Sequence, residues 1–486
     1  MYLYCAAYMK VVIIGSGFGG LSAACLLAKK GYSVTVIEKN DQVGGRAGML
    51  EKNGYRFDMG PSWYLMPDVF EKFYNELGTT ADEQLTLQRL DPSYRIYFEN
   101  ETLDIGDHDA TIELFERIEP GAGAKLKEYL KIAEYKYDVA INEFLYKEYK
   151  SVWDFINFRL MKEGSNLHVF DSFDKYTRRY FKDEKLNKIL QYSIVFLGGA
   201  PKNTPGLYSL MSHVDFNLGV WYPKGGMNAV AKSYEKIARE LGVTFVTSAP
   251  VQRIIVEDGK AVGVQANNTV YDADVVVSNA DYHHTETQLL SREHQSYPQS
   301  YWDKRTVAPS AFIMYMGAKK RVDLEHHNLF LMSDWVKHFD TIFDNPGWPD
   351  KFSYYVCAPS KTDTVAPEGC ENMFVLLPIA SGIEDTPEIR EKYKELVLAD
   401  MEKHVGAFRD ELEVCEVFTL NDFQERYNSF KGTALGLSHT LMQTAFFRPS
   451  HRSKKVGNLY YTGHYTHPGI GVPMTLISST ILRDIL

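Results

Sequence analysis

Two hydrophobic patterns organise the chain. Short unbroken apolar runs, such as Val11-Val12-Ile13-Ile14 and Val275-Val276-Val277, read as strands buried on both faces of a parallel sheet. Longer stretches with helical spacing read as helices at 21–28, 228–240 and 388–404. Residues 32–38 form a second strand, and 111–190 are mostly helical in character, broken at Pro120-Gly121. Strands at 243–247, 251–256, 262–264 and 269–271 make a small meander, turned at Glu257-Asp258-Gly259-Lys260. Further strands lie at 308–317 and 373–378, and these read either as the sheet floor of a cavity or as plain core.

Candidate chemistry sits where the first strand meets the first helix. Gly15-Ser16-Gly17-Phe18-Gly19-Gly20 lies between them. Gly15 permits a tight turn, Gly17 lets backbone N–H groups approach a pyrophosphate, and Gly20 lets helix and strand pack closely. The helix N-terminus then holds the phosphates. Glu38 closes the second strand, where its carboxylate can accept from ribose hydroxyls and would repel a 2′-phosphate. Strand, glycine turn, helix, strand and terminal acid together predict a dinucleotide site.

The next residues choose the dinucleotide. Gly44-Gly45-Arg46 follows Glu38 and Lys39, and resembles the extended FAD motif of the amine oxidase and carotenoid desaturase flavoproteins. Arg46 offers a fork of donors to a phosphate, with a surface ion pair as the plainer reading. Phe57-Asp58-Met59-Gly60-Pro61-Ser62 resembles the loop that these flavoproteins lay beside the isoalloxazine ring, and Tyr222-Pro223-Lys224-Gly225-Gly226 the turn that returns their chain to the FAD domain. In the family the backbone at the position of Val251 contacts the adenine.

The C-terminal stretch carries the second strong signal. A strand ends at Gly463, a glycine-rich loop follows, and Pro473 suits the first turn of a helix running through residues 475–485. Thr466-His467-Pro468-Gly469-Ile470-Gly471-Val472-Pro473 resembles the C-terminal signature of the bacterial-type phytoene desaturases. With the N-terminal motifs the resemblance spans nearly the whole chain. It implies an α/β fold, namely a Rossmann-type two-dinucleotide-binding FAD domain with an inserted substrate domain and a helical lid. The expected division is 9–90, 215–285 and 455–486 for the FAD domain, 91–214 for the lid and 286–454 for substrate. It implies noncovalent FAD held by Gly15, Gly17, Phe18, Gly19, Gly20, Glu38, Lys39, Gly45, Arg46, Gly60, Pro61, Ser62, Val251, Gly463, Gly471, Val472, Pro473 and Met474.

The implied activity is desaturation of a lipophilic phytoene-like polyene of C40 or C30 length, by hydride transfer to flavin N5, with oxygen or a quinone as electron acceptor. Isomerase and oxygenase relatives share the FAD site. A flavin amine oxidase and a prenyl-binding carrier are the more distant alternatives. Three residues depart from the family pattern: His464, Tyr465 and Ile470 are bulkier than usual and are expected to narrow the space beside the flavin. His467 reads either as a base or, preferably, as a loop residue bonding locally. No catalytic residue is assigned.

Composition narrows the partners. The chain has 486 residues and a net charge of −10, which disfavours nucleic acid. Cys5, Cys25, Cys357, Cys370 and Cys415 are scattered, which suits reduced cytoplasmic thiols and argues against a disulfide framework or a metal site. Thirty-two Tyr and 27 Phe suit an apolar cavity or a large core alike. No run is long enough to span a bilayer. Residues 144–161 mix aromatic and basic side chains, which suits either a lid at the membrane interface or a lid packed on the core. The resemblance, in which a lipophilic polyene enters from the membrane, implies a peripheral, membrane-touching enzyme. The basic segment 448–455 is expected to be solvated, with anionic lipid as its sharper alternative. Residues 1–8 read as an extension upstream of a natural start at Met9.

Overall fold

The computed structural model describes residues 9–149, 171–331 and 335–486. Residues 1–8 and most of the aromatic and basic stretch at 144–161 lie outside the described residues.

The apolar run Lys10–Ile14 is the centre of a five-stranded parallel sheet. Ser33–Ile37 and then Thr244–Val246 flank it on one side, and Val275–Ser278 and then Leu459–Tyr461 on the other. Val12 lies beside Val276 and Thr35 in register. Burial on both faces explains why the inner strands Lys10–Ile14 and Val275–Ser278 carry almost unbroken apolar runs. The last strand comes from the C-terminus, so the sheet is completed only when the whole chain has folded. The meander of Val251–Glu257, Lys260–Ala266 and Thr269–Asp272 forms a separate antiparallel sheet.

A seven-stranded mixed sheet makes the second body. Its long central strands, Ser310–Ala318 and Glu371–Ile379, pair over nine positions. Two strands counted by sequence with the helical lid, Tyr94–Tyr97 and Thr102–Ile105, close its far edge, where Tyr94–Tyr97 runs parallel to His327–Phe330. They are short and broken by a turn, so their pattern gave no warning of this long-range pairing. The helix Ala122–Val139 and the turns at 206–218 cover the space between the two bodies.

Helix Phe18–Lys29 packs lengthwise on helix Val472–Ile485 through small residues. Ser22 Oγ donates to Ser479 Oγ at 2.8 Å, and Ser479 Oγ donates to the Gly19 carbonyl at 2.9 Å. Both helices begin on the same side, and neither has a side-chain cap on its N-terminal N–H groups. Two open helix N-termini thus converge on one place.

Candidate active site

That place is the polar end of a cavity of about 810 Å³ running between the two bodies. Gly15 adopts φ +90°, the left-handed region that favours glycine, and its N–H donates to the Ile37 carbonyl at 2.8 Å. Glu38 is buried and points back at this turn. Its carboxylate accepts from Ser16 N (2.8 Å), Ser16 Oγ (2.7 Å), Asn40 N (2.9 Å) and Asn40 Nδ2 (3.0 Å). The second strand thereby sets the carboxylate at the mouth of the glycine turn.

Arg46 follows a left-handed pair of glycines, Gly44 and Gly45. Its Nη2 donates weakly to Ser429 Oγ and the Thr433 carbonyl, at 3.2 and 3.4 Å, and its plane lies over Tyr427. Its Nε is buried with no acceptor among the described residues, and so is that of Arg426. Two buried guanidinium donors beside two open helix ends fit an anionic diphosphate.

Seventeen of the sequence-predicted positions were expected to touch the cofactor beside Gly15, and most reach the cavity wall: Gly17, Phe18, Gly19, Glu38, Lys39, Gly45, Arg46, Gly60, Pro61, Ser62, Val251, Gly471, Val472, Pro473 and Met474. Gly20 and Gly463 do not. A Cβ on Gly20 would stand 2.0 Å from the Gly15 carbonyl oxygen, and one on Gly19 3.1 Å from Gly463 Cα. These two glycines permit close packing behind the turn. Lys39 reaches the wall, but its amine donates to the Glu425 carbonyl and Asn428 Oδ1.

The flavin-loop motif also has a structural half. Asp58 accepts from Met227 N and Asn228 N, at 2.8 and 2.9 Å, at the start of helix Gly226–Glu240. A Cβ on Gly226 would stand 2.1 Å from that carboxylate. Burial lifts Asp58 to about 7. The Tyr222–Gly226 turn and the loop at 57–62 are thus one interlocked unit.

The C-terminal loop corrects several expectations. His464 and Ile470 line the cavity as predicted bulk, but Tyr465 turns into the core, where its hydroxyl donates to Asp281 Oδ2 at 2.7 Å. The segment at 448–455 is not uniformly solvated. Arg448 and His451 are buried, and only Lys454 and Lys455 are exposed. Arg448 donates to the carbonyls of Leu437, Gln443, His464 and Tyr465. His467 Nε2 lies 3.2 Å from the carbonyl of Leu145, 322 residues earlier in the chain, so its bond is long-range rather than local.

Burial pushes His467 down to about 4 and His451 to about 3, and holds His439 and His464 well below the usual range. All four are neutral at neutrality. On unfolding they regain the ordinary value of 6.5, so below it the unfolded chain takes up protons that the folded loop refuses. Ligand release from this loop is therefore expected to rise as pH falls from 6.5 towards 4. Asp58 works the other way, so the measurement is the difference between wild type and His451→Gln, followed by fluorescence of freed flavin. Identical release curves would contradict it.

Sequence reasoning missed several wall residues. Asn279 follows the fourth parallel strand, and its side chain packs against Gly17, Gly19 and Gly463. Asn428, His439 and the 442–447 turn come from motif-free segments. The cavity wall also carries a large apolar set, among them Val139, Leu145, Leu207, Leu329 and Leu376, together with Trp63, Tyr192 and Tyr355. The sheet thus serves as a cavity floor. His326, His327 and Cys357 also come together, with donor atoms within 4.8 Å of one another, an arrangement hidden by the scattered cysteine spacing. Burial keeps the Cys357 thiol protonated, pushed up to about 12.

Comparison with known proteins agrees with this geometry. The profile of the flavin containing amine oxidoreductases matches residues 18–480. A carotenoid 3,4-desaturase of Haloarcula japonica is 50% identical over 475 residues, covering 96% of both chains. A phytoene desaturase of Phycomyces blakesleeanus is 34% identical, covering 98% of this chain and 84% of the relative. Among solved structures, an oxidoreductase from Methanosarcina mazei superposes with a TM-score of 0.64 at 18% identity, covering 98% of this chain and all of its own. The chain is a flavin-dependent oxidoreductase and belongs to the carotenoid desaturases within the flavin containing amine oxidoreductase family.

Proposed function

We propose that this enzyme binds FAD noncovalently and extends the conjugation of an acyclic C40 or C30 polyene. The observation that carries this reading is one cavity with two chemistries: anion-binding donors and a large apolar wall. Glu38 suits a ribose and disfavours a 2′-phosphate. The convergent N-termini of the first and last helices, with Arg46, would hold the diphosphate and the ring. Bound there, the flavin supplies a two-electron oxidant for an allylic C–H.

The chain's own contribution is position, dryness and charge stabilisation. Aliphatic residues hold the polyene straight and keep water from the cation that hydride loss leaves. Trp63, Tyr192 and Tyr355 present aromatic groups in the same wall, and such faces stabilise a desolvated cation by roughly 2 kcal/mol each at best. Met442 and Phe447 both line the cavity and reach the surface, at 61% and 37% exposure, and mark its mouth. An apolar mouth suits a substrate drawn from a lipid surface, so peripheral membrane contact is part of this reading. No helix among the described residues is long and apolar enough to cross a membrane. Oxygen or a quinone would reoxidise the flavin.

The 50% identical relative makes the 3,4 bond of an acyclic carotenoid the first reaction to assay. Purified protein reconstituted with FAD and given the polyene in liposomes is expected to yield a product two hydrogens lighter, with red-shifted absorption. Flavin-loaded protein that leaves phytoene, diapophytoene and longer polyenes unchanged would overturn the assignment. Oxygen in the product would replace it with an oxygenase.

A further inference from the structure

Desaturation removes a hydride and a proton, and nothing above accepts the proton. Burial disfavours the charged form of His439, His451, His464 and His467, which makes all four weak proton acceptors. Lys39 is engaged with its own chain. A different group stands beside the cavity, in a segment with no recognised motif.

Asp215 lies in the π-helical turn His213–Leu218, a geometry that often marks functional positions. It is 6% exposed. Tyr94 Oη donates to its Oδ2 at 2.8 Å, and Tyr192 Oη donates to the same oxygen at 2.9 Å. Its Oδ1 is buried and accepts no hydrogen bond from any described residue. Among the described residues no cation forms an ion pair with it. Its neighbours on the same turn look elsewhere: His213 and His108 both bond to Asn217. A purely structural carboxylate in such a place would be expected to have a cation or a full set of donors. This one has neither.

Its position ties it to the reaction. Tyr192 lines the cavity. The Tyr192 ring lies 5.1 Å from that of Tyr94 and 6.3 Å from that of Trp63. Trp63 lines the cavity too and directly follows Ser62, the end of the loop assigned to the flavin ring. The pair therefore opens onto the wall where flavin and polyene would meet.

We propose that Tyr192 and Asp215 form the proton acceptor of the desaturation, Tyr192 as the catalytic residue that meets the substrate and Asp215 as the proton store behind it. This rests on the desaturase reading above. Hydride departs from an allylic carbon to the flavin and leaves a conjugated cation. The neighbouring C–H bond then breaks, and its electron pair becomes the new π bond. Its proton passes to Tyr192 Oη as the phenol's own proton moves to Asp215 Oδ2. The substrate has lost two electrons and two hydrogens, and the flavin has gained the hydride. After product leaves, Asp215 gives its proton back through Tyr192 to water entering the vacated cavity.

The protonation states suit this traffic. Burial lifts the Asp215 carboxyl to about 7, only partly offset by its two phenol donors. Burial holds both phenols well above 10, so they stay protonated. Asp215 is thus ionised and ready on the alkaline side of neutrality, and a base of that strength accepts and releases protons at working pH.

The test uses FAD-loaded protein with polyene in liposomes, and the substrate-free protein for spectroscopy. Wild-type kcat should fall as pH drops below about 7. Asp215→Asn keeps the shape and should lower kcat by roughly 100-fold or more while abolishing that limb, and Tyr192→Phe should lower it comparably. Tyr94→Phe removes one donor from the carboxylate and should move the limb up by roughly one pH unit. Should Asp215→Asn fold poorly, Asp215→Glu keeps the carboxyl and should keep the limb. Independently of turnover, the infrared difference between wild type and Asp215→Asn should show one protonated carboxyl band that titrates near neutrality. Folded, flavin-loaded Asp215→Asn with near wild-type kcat, or with the limb intact, overturns the proton assignment alone. Wild type that loads flavin and desaturates no polyene overturns the reading beneath it, while the infrared titration stands.

Discussion

Gly20→Ala leaves the purified chain without flavin. The new Cβ would stand 2.0 Å from the Gly15 carbonyl oxygen, 3.1 Å from the Gly15 carbonyl carbon and 3.2 Å from Asn279 Nδ2. The Gly15 backbone, which holds the two nearer atoms, cannot step aside. Gly15 is pinned by its N–H to the Ile37 carbonyl, and Asn279 N donates to the Ile14 carbonyl. The helix must therefore lift from the strand, which moves the very N–H groups that face the diphosphate. Overpacking of this kind costs roughly 1–3 kcal/mol in stability. The displaced helix start should cost flavin affinity at least about tenfold, since about 1.4 kcal/mol suffices for that factor. Flavin absorbance per chain and the thermal midpoint measure both. Gly347→Ala is the control, because its nearest neighbour lies 3.8 Å away and its φ is ordinary. Full flavin content in Gly20→Ala would show that close packing at this turn is not what the position provides.

The same glycine shows what a linear reading can and cannot see. The strand, turn, helix and acid at 10–38 were legible because each depends on neighbours a few residues away. Their spacing therefore stated the strand–turn–helix–strand geometry, while the bonds from Ser16 to Glu38 came from the fold. Close packing was already the sequence's reason for Gly20, whereas for Gly463 it comes from the fold: the space behind Gly19 is filled by Asn279 and by Gly463 itself. Tyr465 was misplaced for a related cause. Its alternation cannot show that Asp281, 184 residues earlier in the chain, would accept its hydroxyl. Asp215 was invisible altogether. A single acid among apolar residues reads as a surface position, and only the fold sets Tyr94 and Tyr192 around it.

Arg448 is the strongest case of a charge whose surroundings the sequence concealed, and its loss should be the costliest single change in the C-terminal loop. Read among His451, Arg452, Lys454 and Lys455, it belongs to a basic surface run. In the fold it is 4% exposed, and its guanidinium spends four hydrogen bonds on the carbonyls of Leu437, Gln443, His464 and Tyr465. Burial lowers it to about 10, so it stays charged at neutrality. Among the described residues it has no carboxylate partner, and backbone carbonyl dipoles solvate it. Those carbonyls belong to two separate segments, 437–443 and 464–465, and a Cβ on Gly469 would stand 3.1 Å from the guanidinium carbon. Arg448→Met keeps the length but strips every donor, leaving four buried carbonyls unpaired. The expected loss is about 3–5 kcal/mol, set by the cost of orphaned buried acceptors against the relief of one desolvated charge. Arg448→Lys should fall between, because an ammonium has three donors and no planar fork to span both loops. The thermal midpoint and the temperature of flavin release should drop together, since Pro468 and Ile470 on the tethered loop line the cavity. Lys455→Ala, in the exposed half of the same run, should stay within about 0.5 kcal/mol of wild type. Equal midpoints for Arg448→Met and Lys455→Ala would mean that the two halves of the run are alike after all, and that the loop is held by its apolar contacts alone.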